Sequence, residues 1–336
     1  MKLHKLIEGY NTISIIGMEK NVGKTTVLNS ILKEVRGKTT LGLTSIGRDG
    51  EDRDRVTYTH KPKIWVEKNT VLATAKEALL NSDITRDILE TTGISTPMGE
   101  VVIVRALTGG YVDLAGPSIS SQVSSVRDKM ISYGADLIIV DGALGRMGTI
   151  YIDEGSAAIL STGASLASNM YEVVEKTSHR INLLQLKRID NTTLKRYLDY
   201  ENGERVVYLG TDNKKLNIDS VLETDRLIVD ELDNSHTHIF IRGAVVASLI
   251  ERLIKNRHKF EELTVVATDG TKFFIDSNLI KKAGLCGIKF RVCNEIGLIG
   301  LTCNPVSPFG YEFDASIFKG ELKKITQLPV IDVIGG

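Results

Sequence analysis

The sequence predicts an α/β protein, with a first domain over residues 1–200 built on a largely parallel sheet and a smaller α/β domain over residues 201–336. Three observations carry this. Short β-rich runs alternate with helical stretches along the whole chain. Several of them, such as Leu137–Val140 and Val206–Leu209, are continuously apolar, as strands buried on both faces should be. The second half repeats the strand–helix habit, which favours another α/β layer over a β-module or a helical bundle.

In chain order the same reading places strands at Thr12–Ile16, Thr39–Ile46, Val101–Ala106, Leu137–Val140 and Ala157–Leu160. Further strands are expected at Ile181–Leu186, Val206–Leu209, His238–Ile241, Leu263–Ala267 and Ile296–Thr302. Helices fit between them at Thr25–Val35, Ser121–Tyr133, Gly243–Asn256 and Asp314–Thr326, with Gly37, Gly134 and Gly284 where helices commonly end. The most polar stretch, Arg188–Asn202 followed by Thr211–Asp219, sets the domain boundary near residue 200.

Lysine plus arginine number 42 and aspartate plus glutamate 42, so no summed field draws the chain toward nucleic acid or an anionic membrane. No apolar run approaches the roughly 20 residues of a membrane span, and the opening MKLHKLIEGYN meets Glu8 and Asn11 before any signal-length apolar stretch. The expectation is a cytoplasmic chain with no nucleic-acid or membrane partner. Cys286, Cys293 and Cys303 are unevenly spaced and read as small buried hydrophobes. His236 and His238 alternate on one strand face, two nitrogens without a third ligand nearby.

The chemistry is concentrated in TISIIGMEKNVGKTTVLNSILKEV, a strand, a glycine-bounded loop and a helix in succession. Backbone N–H groups from about Asn21 through Val22 and Gly23 to Thr26 point inward in such a loop, and the helix N-terminus adds partial positive charge, so a phosphate fits. Gly17 and Gly23 bound the loop. Lys24 is assigned to the β- and γ-phosphates, Thr25 to Mg²⁺ and Thr26 to the α-phosphate. Five residues, rather than the usual four, separate Gly17 from Gly23. Either spacing arises by chance in about 2% of chains this long, and demanding the flanking strand and helix lowers that several-fold.

Hydrolysis needs carboxylates for the metal and the water. LIIVDGALG puts Asp141 at a predicted strand end, and LGLTSIGRDGEDRDR puts Asp49 in a charged loop after the second strand, with Arg48 beside it. Asp113 within Gly109–Pro117, and Ser161–Ser165, also lie beyond strand ends, where open α/β sheets build ligand sites.

The loop resembles that of dethiobiotin synthetase, in which a glycine, five residues ending in valine, and Gly-Lys-Thr recur; Asp141-Gly142-Ala143 is similar to the turn of that enzyme, with Leu144 in place of a glycine. The resemblance implies the SIMIBI class of P-loop NTPases, with ATP and Mg²⁺ as cofactors, Thr25, Asp49 and Asp141 at the metal, and Lys24 and Asp49 in catalysis. ATP is implied by the resemblance, since Leu186–Asp190 is only distantly like the guanine-reading motif of GTPases.

In the second half, Thr268–Lys272 reads as an ordinary Asp-Gly turn, and CNPVSPFGYEFD as a proline-braced loop whose aromatics Phe309 and Tyr311 pack inward by default or dock a partner. Taken from SIIGMEKNVGKTTVLN through ADLIIVDGALGR to NPVSPFGYEFD and PVIDV, the chain resembles the P-loop accessory proteins of lysine 5,6-aminomutase, a lysine-degradation enzyme. That implies an ATP-dependent reactivase subunit acting on an adenosylcobalamin-dependent mutase, with the aminomutase or a companion subunit as protein partner and a homo-oligomer possible. No Asp-x-His-x-x-Gly motif for holding the corrin occurs. The alternatives are a dethiobiotin-synthetase-like enzyme activating a small carboxylate or carbamate, and a nucleotide-sensing regulatory module.

Overall fold

The computed structural model describes residues 2–47, 63–142, 155–201, 203–218 and 225–333. The described residues are mixed α/β, and the chain divides into two compact units: residues 1–178 together with 297–336, and residues 179–296.

The first unit runs α1 (Leu3–Leu6), β1 (Thr12–Gly17), α2 (Lys24–Glu34), β2 (Leu41–Ser45), β3 (Ile64–Val66), β4 (Val71–Ala75), α3 (Lys76–Leu80), β5 (Arg86–Thr96), β6 (Gly99–Ala106), β7 (Gly110–Val112), α4 (Ser120–Ser132), β8 (Leu137–Asp141) and β9 (Ser156–Gly163). From β9 the chain enters α5 (Met170–Leu184), which leads into the second unit. There it forms α6 (Asn191–Glu201), β10 (Val206–Gly210), β11 (Lys214–Leu216), α7 (Asp225–Asp230), β12 (His236–Ile241), β13 (Val245–Val246), α8 (Ala247–Lys255), β14 (Leu263–Ala267), β15 (Phe273–Phe274), α9 (Ser277–Leu285) and β16 (Ile288–Val292). It then returns to the first unit as β17 (Leu298–Asn304), α10 (Ala315–Lys324) and β18 (Val330–Asp332).

The main sheet has the order β18-β17-β9-β1-β8-β2-β4-β6-β5 among the described residues. Every pairing from β18 to β4 is parallel, and β6 and β5 close the edge as an antiparallel hairpin. Its parallel strands are buried along almost their whole length because helices cover both faces. Ile13, Ile15, Ile139 and Leu43 meet Val27, Leu28 and Ile31 of α2, while Ile138, Val140 and Ala73 meet Val123, Val126 and Met130 of α4. The second unit has a smaller sheet, β11-β10-β12-β14-β16, parallel from β12 to β16. Tyr197 of α6 stacks on Phe240 of β12 with ring centroids 4.1 Å apart on one face, and Leu249, Ile250 and Leu253 of α8 fill the other.

The expected split into residues 1–200 and 201–336 is therefore corrected. The last forty residues belong to the first unit, because β17 hydrogen-bonds along β9 (Leu301 opposite Leu160, Thr302 opposite Ser161) and β18 along β17. The polar segment used to place the boundary, Arg188–Asn202, contains the amphipathic α6, which buries Leu194 and Tyr197. Ile181–Leu186, expected as a strand, is largely the end of α5: Val173, Thr177, Ile181 and Leu184 are all buried at helical spacing. Gly284 lies inside α9, and the left-handed residue after that helix is Gly287, at φ +79°.

Arg127 ties α4 to the amino end of β1. Its side chain, about one-tenth exposed, donates to Thr12 Oγ1 (3.1 Å), Asn11 Oδ1 (2.9 Å) and Asp128 (2.7 Å). Arg127→Met is expected to lower unfolding free energy by about 1–2 kcal/mol, since it removes the donor to the buried Thr12 Oγ1, while Asn11 Oδ1 keeps its bond from the Thr12 hydroxyl and Asp128 is exposed to water. Urea titration of the variant measures this, and a loss below about 0.5 kcal/mol would show the cluster to be ornamental to stability.

Candidate functional site

β1 lies between β9 and β8, and the chain leaves the adjacent strands β1 and β9 in opposite directions. After β1 it crosses through α2 to β2 on one side; after β9 it reaches its next sheet strand, β17, on the other. The carboxyl ends of β1 and β9 thus flank a topological switch point, the place where open α/β sheets leave a crevice for a ligand. The loop Met18–Gly23 stands there.

The loop's shape follows from two left-handed residues. Asn21 has φ +60°, a conformation asparagine tolerates better than most, and Gly23 has φ +89°, where a Cβ would strain the backbone. Gly23 is the N-cap of α2 and carries no side chain to cap it; Val27 N donates to Gly23 O at 2.9 Å as the helix begins. As at any helix start, the first-turn N–H groups have no acceptor within the helix. Val22 is fully buried beneath the loop, and Thr25 and Thr26 are half-buried in the first turn.

Lys24 folds back over the loop. Its Nζ donates to Glu19 O at 2.8 Å, and the chain passes so close to Gly17 that a Cβ there would lie 2.6 Å from Lys24 Nζ and 2.8 Å from Val22 Cγ2. The side chain keeps some solvent contact, yet enclosure is its strongest influence: desolvation pushes the ammonium below its ordinary 10.5. The Asp141 carboxylate opposes that shift more than any other group, followed by Glu19.

Asp141 ends β8 opposite Ile15 of β1 on one side and Ser45 of β2 on the other, two residues short of the loop along the neighbouring strand. Ile46 N donates to Asp141 O (2.8 Å) and Gly142 N to Ile15 O (3.0 Å), so the backbone at this strand end is fixed. The structure thus gathers Gly17, Asn21, Val22, Gly23, Lys24, Thr25, Thr26 and Asp141 at one end of the sheet. Arg48 and Asp49 lie outside the described residues. The segment Gly109–Pro117 reaches the same end through its last residues, with Gly116 N on Ser45 Oγ (2.9 Å) and Gly47 N on Pro117 O (3.0 Å); Asp113 contributes its carbonyl, to Thr74 Oγ1 at 3.2 Å.

Two residues that brace the loop were not singled out in the sequence by role. Ser165, at the end of the Ser161–Ser165 stretch, donates to Lys20 O at 2.9 Å, and Asn304, at the end of β17, donates through Nδ2 to Asn21 O at 3.0 Å. Met18 N bonds Ser161 O at 2.9 Å. Asn304 comes next to the loop across 283 positions of sequence, so only an asparagine at a strand end before a proline hinted at it.

Elsewhere the expectations divide. Asp269 caps its own turn by accepting from Thr271 N (2.8 Å), as an Asp-Gly turn should. Asp190 of the Leu186–Asp190 stretch caps α6 through Thr193 N (2.9 Å), and that bond holds its carboxyl below the usual range. Of the proline-braced aromatics, Tyr311 turns in, its hydroxyl donating to Ala164 O at 2.7 Å, while Phe309 is 57% exposed. Cys303 is buried in β17, and Cys286 and Cys293 are half-buried; all three are free thiols. Burial raises the Cys293 and Cys303 thiols to about 12, which keeps them unreactive. His236 is buried and His238 half-buried on β12. Among the described residues no group of three His, Cys, Asp or Glu is placed to hold a metal, and no helix is long and apolar enough to cross a membrane.

In comparisons with known proteins, no family model matches the chain, and neither does any curated protein.

Proposed function

We propose that this chain binds a nucleoside triphosphate with Mg²⁺ at Gly17–Thr26 and acts as a slow switch ATPase whose hydrolysis is governed by a protein partner. The observation that carries the reading is the loop itself: a left-handed Gly23 opening an uncapped helix, with the enclosed Lys24 ammonium lying over it, at a sheet switch point. Backbone N–H groups from Asn21 to Thr26 hold the phosphates. Lys24 exchanges its bond to Glu19 O for the β- and γ-phosphate oxygens.

The donor set suits Mg²⁺. The Thr25 hydroxyl and the Asp141 carboxylate are hard oxygen ligands on adjoining elements, and Mg²⁺ in such sites takes one or two protein ligands and fills the rest with phosphate and water. When bound, the metal supplies neutralisation of the charge that develops on the phosphates. Asp49 is proposed as the second carboxylate, serving the metal and the attacking water.

The resemblance to aminomutase accessory proteins supports ATP as the nucleotide and a reactivase as the assembly, with the mutase or a companion subunit as partner. The exposed Phe309, held on a loop pinned by Tyr311, supports a docking surface near the site. A second reading, ATP-dependent activation of a small carboxylate or carbamate, is favoured by the five-residue loop spacing alone.

Steady-state hydrolysis separates the two. The chain alone should turn over slowly, and adding the partner should raise the rate by about tenfold or more, because ordering the groups around the γ-phosphate supplies nearly all the catalysis. Phe309→Ala should leave the basal rate intact and reduce that stimulation. Ordinary enzymatic turnover with a small acid, indifferent to every protein added, would replace the switch by the small-molecule enzyme.

A further inference from the structure

Two consecutive carbonyls of the loop are held from outside it. Lys20 O accepts from Ser165 Oγ at 2.9 Å and Asn21 O accepts from Asn304 Nδ2 at 3.0 Å. The donors come from different strands, Ser165 just past β9 and Asn304 at the end of β17. An anion is held by a loop only while its N–H groups face inward, which requires the carbonyls to face away. A peptide rotation at Lys20 or Asn21 would aim an oxygen at the phosphate. Asn21 is the residue most exposed to such a rotation, since it sits at φ +60° without being glycine.

Asn304 is itself fixed at both ends of its amide. Its Oδ1 accepts from Val306 N at 2.9 Å, so Nδ2 is the end presented to the loop, and the residue is buried. Pro305 follows and restricts Asn304 to extended backbone, which keeps the side chain in register with the strand end. Ser165 lies in the short turn that joins β9 to α5.

We propose that Ser165 and Asn304 are positioning residues that lock the Lys20 and Asn21 carbonyls outward, so that the loop presents a preformed anion cradle before any ligand arrives. This rests on reading the loop as the triphosphate site. Neither side chain is assigned a bond to the ligand; each acts through the loop backbone.

The test uses the full chain with Ser165→Ala, Asn304→Ala and the pair combined, with Ser165→Thr as the conservative control that keeps the hydroxyl. Calorimetry measures binding of ATP, GTP and inorganic tripolyphosphate with Mg²⁺, and amide hydrogen exchange follows the peptide covering Met18–Thr26 without ligand. Each alanine variant should bind all three ligands weaker by the same factor, with the pair about tenfold weaker or more, while Ser165→Thr stays near the parent. Exchange in the loop peptide should quicken while the peptides of β12 and β14 stay unchanged. A loss confined to ATP, with tripolyphosphate unaffected, would overturn the brace and make Asn304 a base contact. Parent-like affinity and exchange in the double variant would also overturn it, leaving the triphosphate site standing. If the parent binds no triphosphate, the site reading fails by itself, and the loop's exchange decides the brace: quicker in the variants upholds it, unchanged removes it.

Discussion

Lys24→Ala is expected to weaken triphosphate binding by about a hundredfold or more, because its ammonium, lying over the loop beside Gly17 and Glu19 O, is the charge proposed for the β- and γ-phosphates. The same substitution should leave the free protein intact. In the absence of ligand the ammonium is desolvated and held below its ordinary 10.5, so its charged form costs stability at neutral pH, and removing it relieves that cost while losing one bond to Glu19 O. Calorimetric titration with ATP and Mg²⁺, alongside a thermal melt without them, reads both halves. A variant with parent affinity and parent hydrolysis would remove the site from Gly17–Thr26 altogether.

Asp141→Asn should act on turnover rather than on affinity. Asparagine is close to isosteric, so the backbone bond from Ile46 N to Asp141 O survives, and the cradle of N–H groups still holds the phosphates. What is lost is a negative charge at the end of β8, beside the Lys24 ammonium that it supports and within the set proposed for Mg²⁺. Mg²⁺-dependent hydrolysis is expected to fall by about a hundredfold, with the nucleotide bound within a few-fold of the parent. A hydrolysis series across Mg²⁺ concentration checks it. If Asp141→Asn matches the parent while Asp49→Asn is inert, the two carboxylates have exchanged roles.

Several central strands were legible because they are buried on both faces, although the equally buried β4 was not read as a strand. Thr12–Ile16, Leu137–Val140, Val206–Leu209 and Leu263–Ala267 read as strands from their apolar runs, and each matches its strand to within a residue at either end. β5 escaped notice for the opposite reason: its residues alternate between exposed and half-buried, and Thr91, Thr92, Gly93 and Ser95 give it the polarity of a loop. Short apolar runs carry no period of their own, which is how the end of α5 came to look like a strand at Ile181–Leu186. For the site, the loop and Asp141 were visible as local patterns, glycines and a lysine at fixed offsets and an acid at a strand end. The contacts that hold them were not, since Ser165 and Asn304 meet the loop only through the sheet order that brings β9 and β17 beside β1. Sequence spacing carries no information on that order.

The return of the chain at β17 bears on how the protein is made. A ribosome delivers β9 well before β17, and at roughly 5–20 residues per second the interval is on the order of ten seconds. Through that time β9 is a bare parallel edge, and Ala157–Leu160, buried in the finished protein, offer unpaired backbone to any neighbour. The intervening residues, 179–296, have their own sheet and core and can fold while the larger sheet waits. A chain cut near residue 200 keeps the loop Met18–Gly23 yet carries that sticky edge permanently, and it lacks the Asn304 bond to Asn21 O. Nascent-chain exposure, rather than the stability of the completed fold, is then the point at which aggregation competes with this protein's maturation.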